Sequence, residues 1–327
     1  MKRLARWSAF ASLVLLCSEL PGVARAQDYP EKPVRIVVPF TPGGSTDLTA
    51  RIIAEGLAAE LKQPFVIENR PGAAGTIGVD LVAKSKPDGY TIGLSGVGPT
   101  SIIPAIDKNL SYNFERDLEV IAGLTAVDGF IVARAEFPHK DIKELLDYAR
   151  ANPGKVTYGT AGVAGPAQLQ AEDLSLRAGV NMLHVPFAGD APAIAAILAG
   201  DVDIGFVAVA AATTFVSSGK MKALAAGGPG RLKSLPDLLT VAEQTGFKDY
   251  TAYAWNILVA PKGTARNVIE KLNKAVNEVV AKPEIKQRLE NIGLRTLPGD
   301  TNSAADFVAG EIAKNKRIIE VTGIKRQ

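Results

Sequence analysis

The stretch VRIVVPFTPGGSTDLTAR, Val34 to Arg51, limits the possible folds more than any other part of the chain. Val34 to Val38 is a short β-branched run, the mark of a strand buried on both faces. Pro39, Pro42, Gly43 and Gly44 then forbid regular structure and leave the backbone bare in a tight turn. Ser45, Thr46 or Asp47 can cap a following helix, whose apolar face is Leu48, Ile52, Leu57 and Leu61. Strand, turn and helix N-terminus bring free N–H groups and the positive dipole end to one point. Such a point suits a carboxylate or a phosphate.

The pattern recurs downstream. Phe65–Asn69 reads as a strand, Pro71–Gly75 as a second glycine turn, and Thr76–Ala83 as a helix. A third strand ends at Ser95 and is broken by Gly96, Gly98 and Pro99. Strands are expected at 118–124 and 130–134, followed by a fresh alternation of strand and helix from Ile142 to Ala226. Within it, Gly159–Pro166 is a glycine turn of the same kind as the first. Gly227–Gly230 reads as the return crossing. The last third reads as a strand over Tyr253–Ala260, helices from Thr264 and Pro283, and a closing helix over Ser303–Val321. Alternation of this sort implies α/β architecture with parallel sheets, whose ligands gather beyond the carboxyl ends of the strands.

Composition narrows the partners. Lys2, Arg3 and Arg6, the apolar run Ala9–Cys17 and Ala24-Arg25-Ala26 form a signal-peptide pattern over 1–26, with cleavage near Ala26. That run is shorter than the roughly 20 residues a membrane span needs. Residues 1–26 carry four of the 37 basic and one of the 34 acidic residues, so the remainder holds 33 of each. A balanced chain with no long basic run argues against nucleic acid and anionic membrane surfaces. Cys17 is the only cysteine, so after cleavage no thiolate nucleophile or zinc–thiolate site is available. The expectation is an exported, soluble, monomeric protein in the periplasm, with no cofactor and no metal.

Three motifs in order carry a resemblance. PFTPGGSTD, ending at Asp47, resembles the signature of the Bug-type substrate-binding proteins of tripartite tricarboxylate transporters. ENRPGAAGTIG, from Glu68 to Gly78, resembles that family's second motif. HVPFAGDAPA, from His184, followed by Gly200-Asp-Val-Asp203, resembles the third. The resemblance runs from about Tyr29 to the C-terminus. It implies a two-lobed, type II periplasmic-binding-protein clamshell, each lobe a mostly parallel sheet flanked by helices. The implied division is a discontinuous first lobe, 27–123 plus 230–327, and a second lobe, 124–229. The implied function is capture of a small organic carboxylate for delivery to membrane permease subunits. An exported subunit that presents ligand to a sensor kinase is the alternative.

The expected binding set follows the turns and motifs. Phe40, Thr41, Gly43, Gly44, Ser45 and Asp47 form the first arm, with Asp47 bracing the turn because an anion should not touch a carboxylate. Ala74, Gly75 and Thr76 form the second arm, and Ser95 ends the third strand. Gly159, Thr160, Ala161, Gly162 and Gln168 form the cradle of the second lobe, and Phe187, Ala188, Gly189 and Asp203 complete the set. Many relatives carry a His near Gln168 and a Tyr-Lys pair at Phe187-Ala188, so this cleft is expected to be less polar than theirs. Phe187 could stack on ligand or fill core. Arg70 is a weaker candidate as a carboxylate clamp.

Catalysis finds little support. Gly93-Leu-Ser95-Gly-Val97 fails the G-x-S-x-G elbow at its last position, and His139 and His184 lack metal-ligand spacing. An exported hydrolase using Ser95 with one of these histidines is the surviving enzyme alternative. No catalytic residue is assigned. Trp255, inside an apolar strand, is expected in the core.

Overall fold

The computed structural model describes residues 29–325; the expected signal peptide, Cys17 and the cleavage site lie outside them. The chain opens with β1 (Val34–Val38), α1 (Ser45–Leu61), β2 (Phe65–Asn69), α2 (Thr76–Ala83) and β3 (Thr91–Gly96). β1 lies between β2 and β3, parallel to both. Ile36 and Val38 point into one core and Val37 into another, the period of two that a strand imposes. Both faces must therefore be covered. α1 covers one with Ile53 and Leu57, and α2 the other with Val79 and Val82.

A wide helical turn, Gly98–Ile102, runs into α3 (Ile103–Ile106), and α4 (Phe114–Asp117) leads into β4 (Leu118–Arg134). The second α/β series is α5 (Ile142–Ala151), β5 (Thr157–Thr160), α6 (Pro166–Ala178), β6 (Leu183–Pro186), α7 (Asp190–Ala199), β7 (Ile204–Ala208), α8 (Val209–Ser217), β8 (Met221–Ala226) and α9 (Val241–Thr245). β9 (Tyr253–Pro261), α10 (Arg266–Ala281), α11 (Pro283–Asn291), β10 (Arg295–Thr296) and α12 (Thr301–Thr322) follow. Among the described residues, no helix is long and apolar enough to cross a membrane.

β4 joins two lobes. It is 17 residues long, roughly 55 Å of extended chain, where two separate strands were expected. Leu118–Asp128 pairs with β9 in the first lobe, and Gly129–Ala133 pairs with β7 in the second. Its two buried halves are separated by the half-buried Val127, Asp128 and Gly129. Strand directions then place the gap. β3 and β4 both run antiparallel to β9, so β4 leaves the first lobe in the direction in which β3 ends. β7 is antiparallel to β4 and parallel to β5, so the second lobe points its strand ends back toward the first. The carboxyl ends of both parallel sets meet at one cleft.

The return crossing lies later than expected. Residues 230–252, which the sequence reading gave to the first lobe, pack in the second: Val241, Tyr250 and Ala252 are buried with Ile131, Leu145 and Phe206. The chain crosses back at Ala252–Tyr253, where β9 begins beside Asp128. Gly227 is a hinge contact instead of a linker residue. Its N–H donates to Gly129 O, Gly129 N–H to Ala252 O, and Ala252 N–H back to Gly227 O. A Cβ at Gly227 would sit 2.6 Å from the Cβ of Ala252, so only glycine allows this approach. Trp255 is buried in the first lobe and donates its indole N–H to Glu311, as a core residue should.

Candidate functional site

The cleft is lined by helix starts. α1, α2, α6 and α7 begin at Gly44, Gly75, Gly165 and Gly189, and no side chain caps any of them. α5, α9 and α12 are capped by Asp141, Thr240 and Asp300, while α8, α10 and α11 also lack side-chain caps but start at Ala208, Ala265 and Lys282 instead of glycine. The first N–H groups of a helix have no partner within it, so glycine starts leave them free for an anion.

In the first arm, Thr41, Pro42, Gly43, Gly44 and Ser45 are exposed while Asp47 is buried. Asp47 Oδ2 accepts from Gly43 N–H at 2.9 Å and from Arg51 Nε at 2.9 Å; Oδ1 accepts from Asn69 Nδ2 at 2.8 Å. Burial raises the Asp47 pKa, but the hydrogen bonds from Arg51, Gly43 and Asn69 outweigh it and hold the carboxyl below the usual range. Asp47 braces the turn, from the third helical position rather than as the cap. Asn69 also donates to Phe40 O, tying the turn to the end of β2.

The second arm is a strained turn. Gly72, Ala73, Ala74 and Gly75 have φ of +129°, +48°, +56° and +91°, a region that alanine populates at a cost of about 1 kcal/mol or more each. Ala74 is exposed, but Gly75 is buried against Phe40 and Pro99. The hydroxyls expected to serve ligand are spent elsewhere. Thr76 donates to Ala73 O, and Ser95, fully buried, bonds Thr100 Oγ1 at 2.7 Å.

The second-lobe cradle has its own internal bonds. Thr160 is buried and donates to Gly162 O, while His184 Nε2 lies 2.7 Å from the same hydroxyl. His184 stacks on Tyr158, and burial lowers its pKa. Gln168 turns inward, and its Oε1 accepts from Ala164 N–H at 2.7 Å. Phe187 lies over Gly159, near enough that a Cβ there would be 3.1 Å from the ring, so it is a packing residue. Ala161 and Ala188 are exposed, and Gly162 has φ +106° with open space around it. Asp203, expected among the ligand contacts, lies elsewhere. It precedes β7, at the end remote from the cleft, and accepts from Thr157 N and Oγ1. Ser95 bonds Thr100, His184 bonds Thr160, and His139 packs on Phe137 and Tyr148, so neither histidine pairs with Ser95.

Between the lobes, beside the crossing strands, lies a cavity of about 150 Å³. Its walls include Asp128 and Gly129 of β4, Ala161 and Gln170 beside α6, Asp190 of α7, Ala208 of β7 and Tyr253 of β9. Of the residues expected to bind ligand, Ala161 alone lines it. Asp128 accepts from Arg295 Nε at 2.9 and 3.1 Å, and that guanidinium lies 4.8 Å from the centre of the Tyr253 ring. Asp128, Gln170, Asp190 and Tyr253 were missed because they come from four distant segments. A charged residue within the apolar run of β4 was the available signal for Asp128.

Two α/β lobes on a shared long strand, with glycine-started helices facing a cleft, define a clamshell solute-binding protein. Residues 49–324 match the tripartite tricarboxylate transporter family receptor, and the chain belongs to that family. The protein BugT of Bordetella pertussis is 30% identical over 323 residues, covering 98% of this chain and 99% of BugT. Among solved structures, the periplasmic binding protein BugD is 35% identical with a TM-score of 0.70, covering 91% of this chain and 100% of BugD. MatC from Rhodopseudomonas palustris, solved with bound malate, is 31% identical with a TM-score of 0.70, covering 89% of this chain and 100% of MatC.

Proposed function

We propose that the protein captures a small organic carboxylate in the periplasm and delivers it, as a monomer, to the permease subunits of a tripartite tricarboxylate transporter. The signal-peptide pattern over 1–26 supports export, and the malate bound by MatC supports the ligand class. The observation that carries the reading is the set of uncapped glycine helix starts at α1, α2 and α6, directed at one cleft from both lobes. The lobes would divide at Asp128/Gly129 and again at Ala252/Tyr253, and closure would bring the turns at Gly43–Ser45 and Ala161–Gly165 onto the acid. Direct or water-bridged bonds to backbone N–H groups would grip a carboxylate, a water costing about 0–2 kcal/mol.

A thermal-shift screen of the mature protein against dicarboxylates, tricarboxylates, amino acids and aromatic acids tests this. Ligand at about 100 times its dissociation constant adds about 2.7 kcal/mol of stability, a shift of several degrees. Gly44→Val should abolish binding with the fold intact, because a Cβ at Gly44 meets nothing nearer than Thr41 O at 3.8 Å. No shift with any acid would sink the proposal.

A further inference from the structure

We propose that Asp190 selects for a hydrogen-bond donor on the ligand, so that the acid taken by this cleft also carries a protonated amine; this rests on the carboxylate-binding reading above. The charged side chains that line the interlobe cavity are Asp128 and Asp190, and the lining contains no Lys, Arg or His. Asp128 is already paired with Arg295, which does not itself line the cavity. Asp190 has no cationic partner among the described residues. It is the first residue of α7 and accepts one backbone hydrogen bond, from Ala208 N–H. Burial pushes its carboxyl above the usual range, the expected result for a carboxylate without a counter-charge.

The rest of the wall offers the opposite chemistry. α6 starts at Gly165 with no side-chain cap, and its first turn lines the cavity through Pro166 and Ala167. Gln170 lines the same wall, and its side-chain amide has no hydrogen-bond partner among the described residues. The cavity thus has donors on the α6 side and an unpaired acceptor at the start of α7. Its volume of about 150 Å³ admits several waters or a small acid between the two walls. A ligand carrying both a carboxylate and an ammonium, as an α-amino acid does, satisfies both walls when the ammonium faces Asp190. A plain dicarboxylate would set a second negative charge against Asp190.

Asp190→Asn separates selection from structure, because its amide oxygen still accepts from Ala208 N–H while the charge is gone. Calorimetry on the mature wild type and this variant would use three matched pairs: aspartate and succinate, glutamate and glutarate, leucine and 4-methylpentanoate. In at least one pair the amino member should bind wild type tighter than its partner by roughly thirtyfold or more, the scale of a buried charge pair losing one member. Asp190→Asn should erase that preference by weakening the amino acid and leaving the plain acid equal or tighter. Plain acids binding wild type as tightly as their amino partners, or an unchanged preference in Asp190→Asn, would overturn the inference and leave the carboxylate reading standing. No binding by any of the six acids, with none found in the wider screen, would overturn both.

Discussion

The turn between β1 and α1 and the turn between β5 and α6 share one backbone plan built from different chemistry. Each has a left-handed residue, Gly43 at φ +87° or Ala164 at +53°, then an extended glycine, Gly44 or Gly165, that starts the helix. In each, the side chain of the third helical residue reaches back to the N–H of the left-handed one, Asp47 to Gly43 and Gln168 to Ala164. The first turn uses a buried anion, balanced by Arg51 and held by Asn69. The second uses a neutral amide, and Pro166 removes one N–H at the first helical position. A bound anion therefore meets a braced but nearly neutral turn in the first lobe. In the second it meets a turn whose helix dipole is not offset by any charge at that position.

The largest break in the comparison should be Asp47→Ala. It removes the acceptor of Gly43 N–H and one of the two acceptors of the Asn69 amide, together with the partner of Arg51, and should cost about 2–3 kcal/mol in urea unfolding. Gln168→Ala removes one neutral bond and should cost only about 1 kcal/mol. Equal losses would show that charge adds nothing to the first turn.

Asp47→Asn sharpens the point through pH. The Asp47 carboxyl is held below its ordinary value, so its charge stabilises the fold above the unfolded pKa, about 3.9, and that contribution is lost as pH falls through the folded value. The stability gap between wild type and Asp47→Asn should stay constant from neutral pH down to about pH 5 and close below about pH 4. A gap that instead widens in acid would reverse the assigned sign.

Gln168→Glu gives the second turn the chemistry of the first without an arginine to balance it. Stability should hold or rise by about 0.3–1 kcal/mol, because a carboxylate at a helix start is favourable. Affinity for a dicarboxylate or other anionic ligand should fall by roughly tenfold, seen by calorimetry, since Coulomb repulsion across a few ångströms near a surface is of that order. Unchanged affinity would place the anion away from this turn.

The smallest effect is in the backbone. Ala164→Gly relieves a left-handed alanine and should raise stability in urea unfolding, while Gly43→Ala should lower it, each by about 1 kcal/mol or less. A Cβ at Gly43 meets nothing within 4 Å, so its loss would report conformation alone. Effects of the same sign in the two variants would break the equivalence of the turns.

These turns were legible because their requirement is local. Proline and glycine set φ and ψ at their own positions, and an acceptor three residues inside a helix finds its N–H without help from the rest of the chain. The strand–turn–helix units, the two α/β series and the bracing role of Asp47 could all be read from neighbouring residues. Pairing and orientation could not. The half-buried VDG of β4 resembled a break between strands because its partners in β7 and β9 lie some 80 and 125 residues on. The glycines after Ala226 resembled a linker because the close contact of Gly227 with Ala252 is invisible locally. Thr76, Ser95, Thr160 and Asp203 were offered to ligand on residue type, and the fold assigned each a neighbour instead. The hinge-side cavity, with Asp128, Gln170, Asp190 and Tyr253 on its walls, exists only because segments far apart in sequence converge, and tertiary packing alone decides which side chains face that gap.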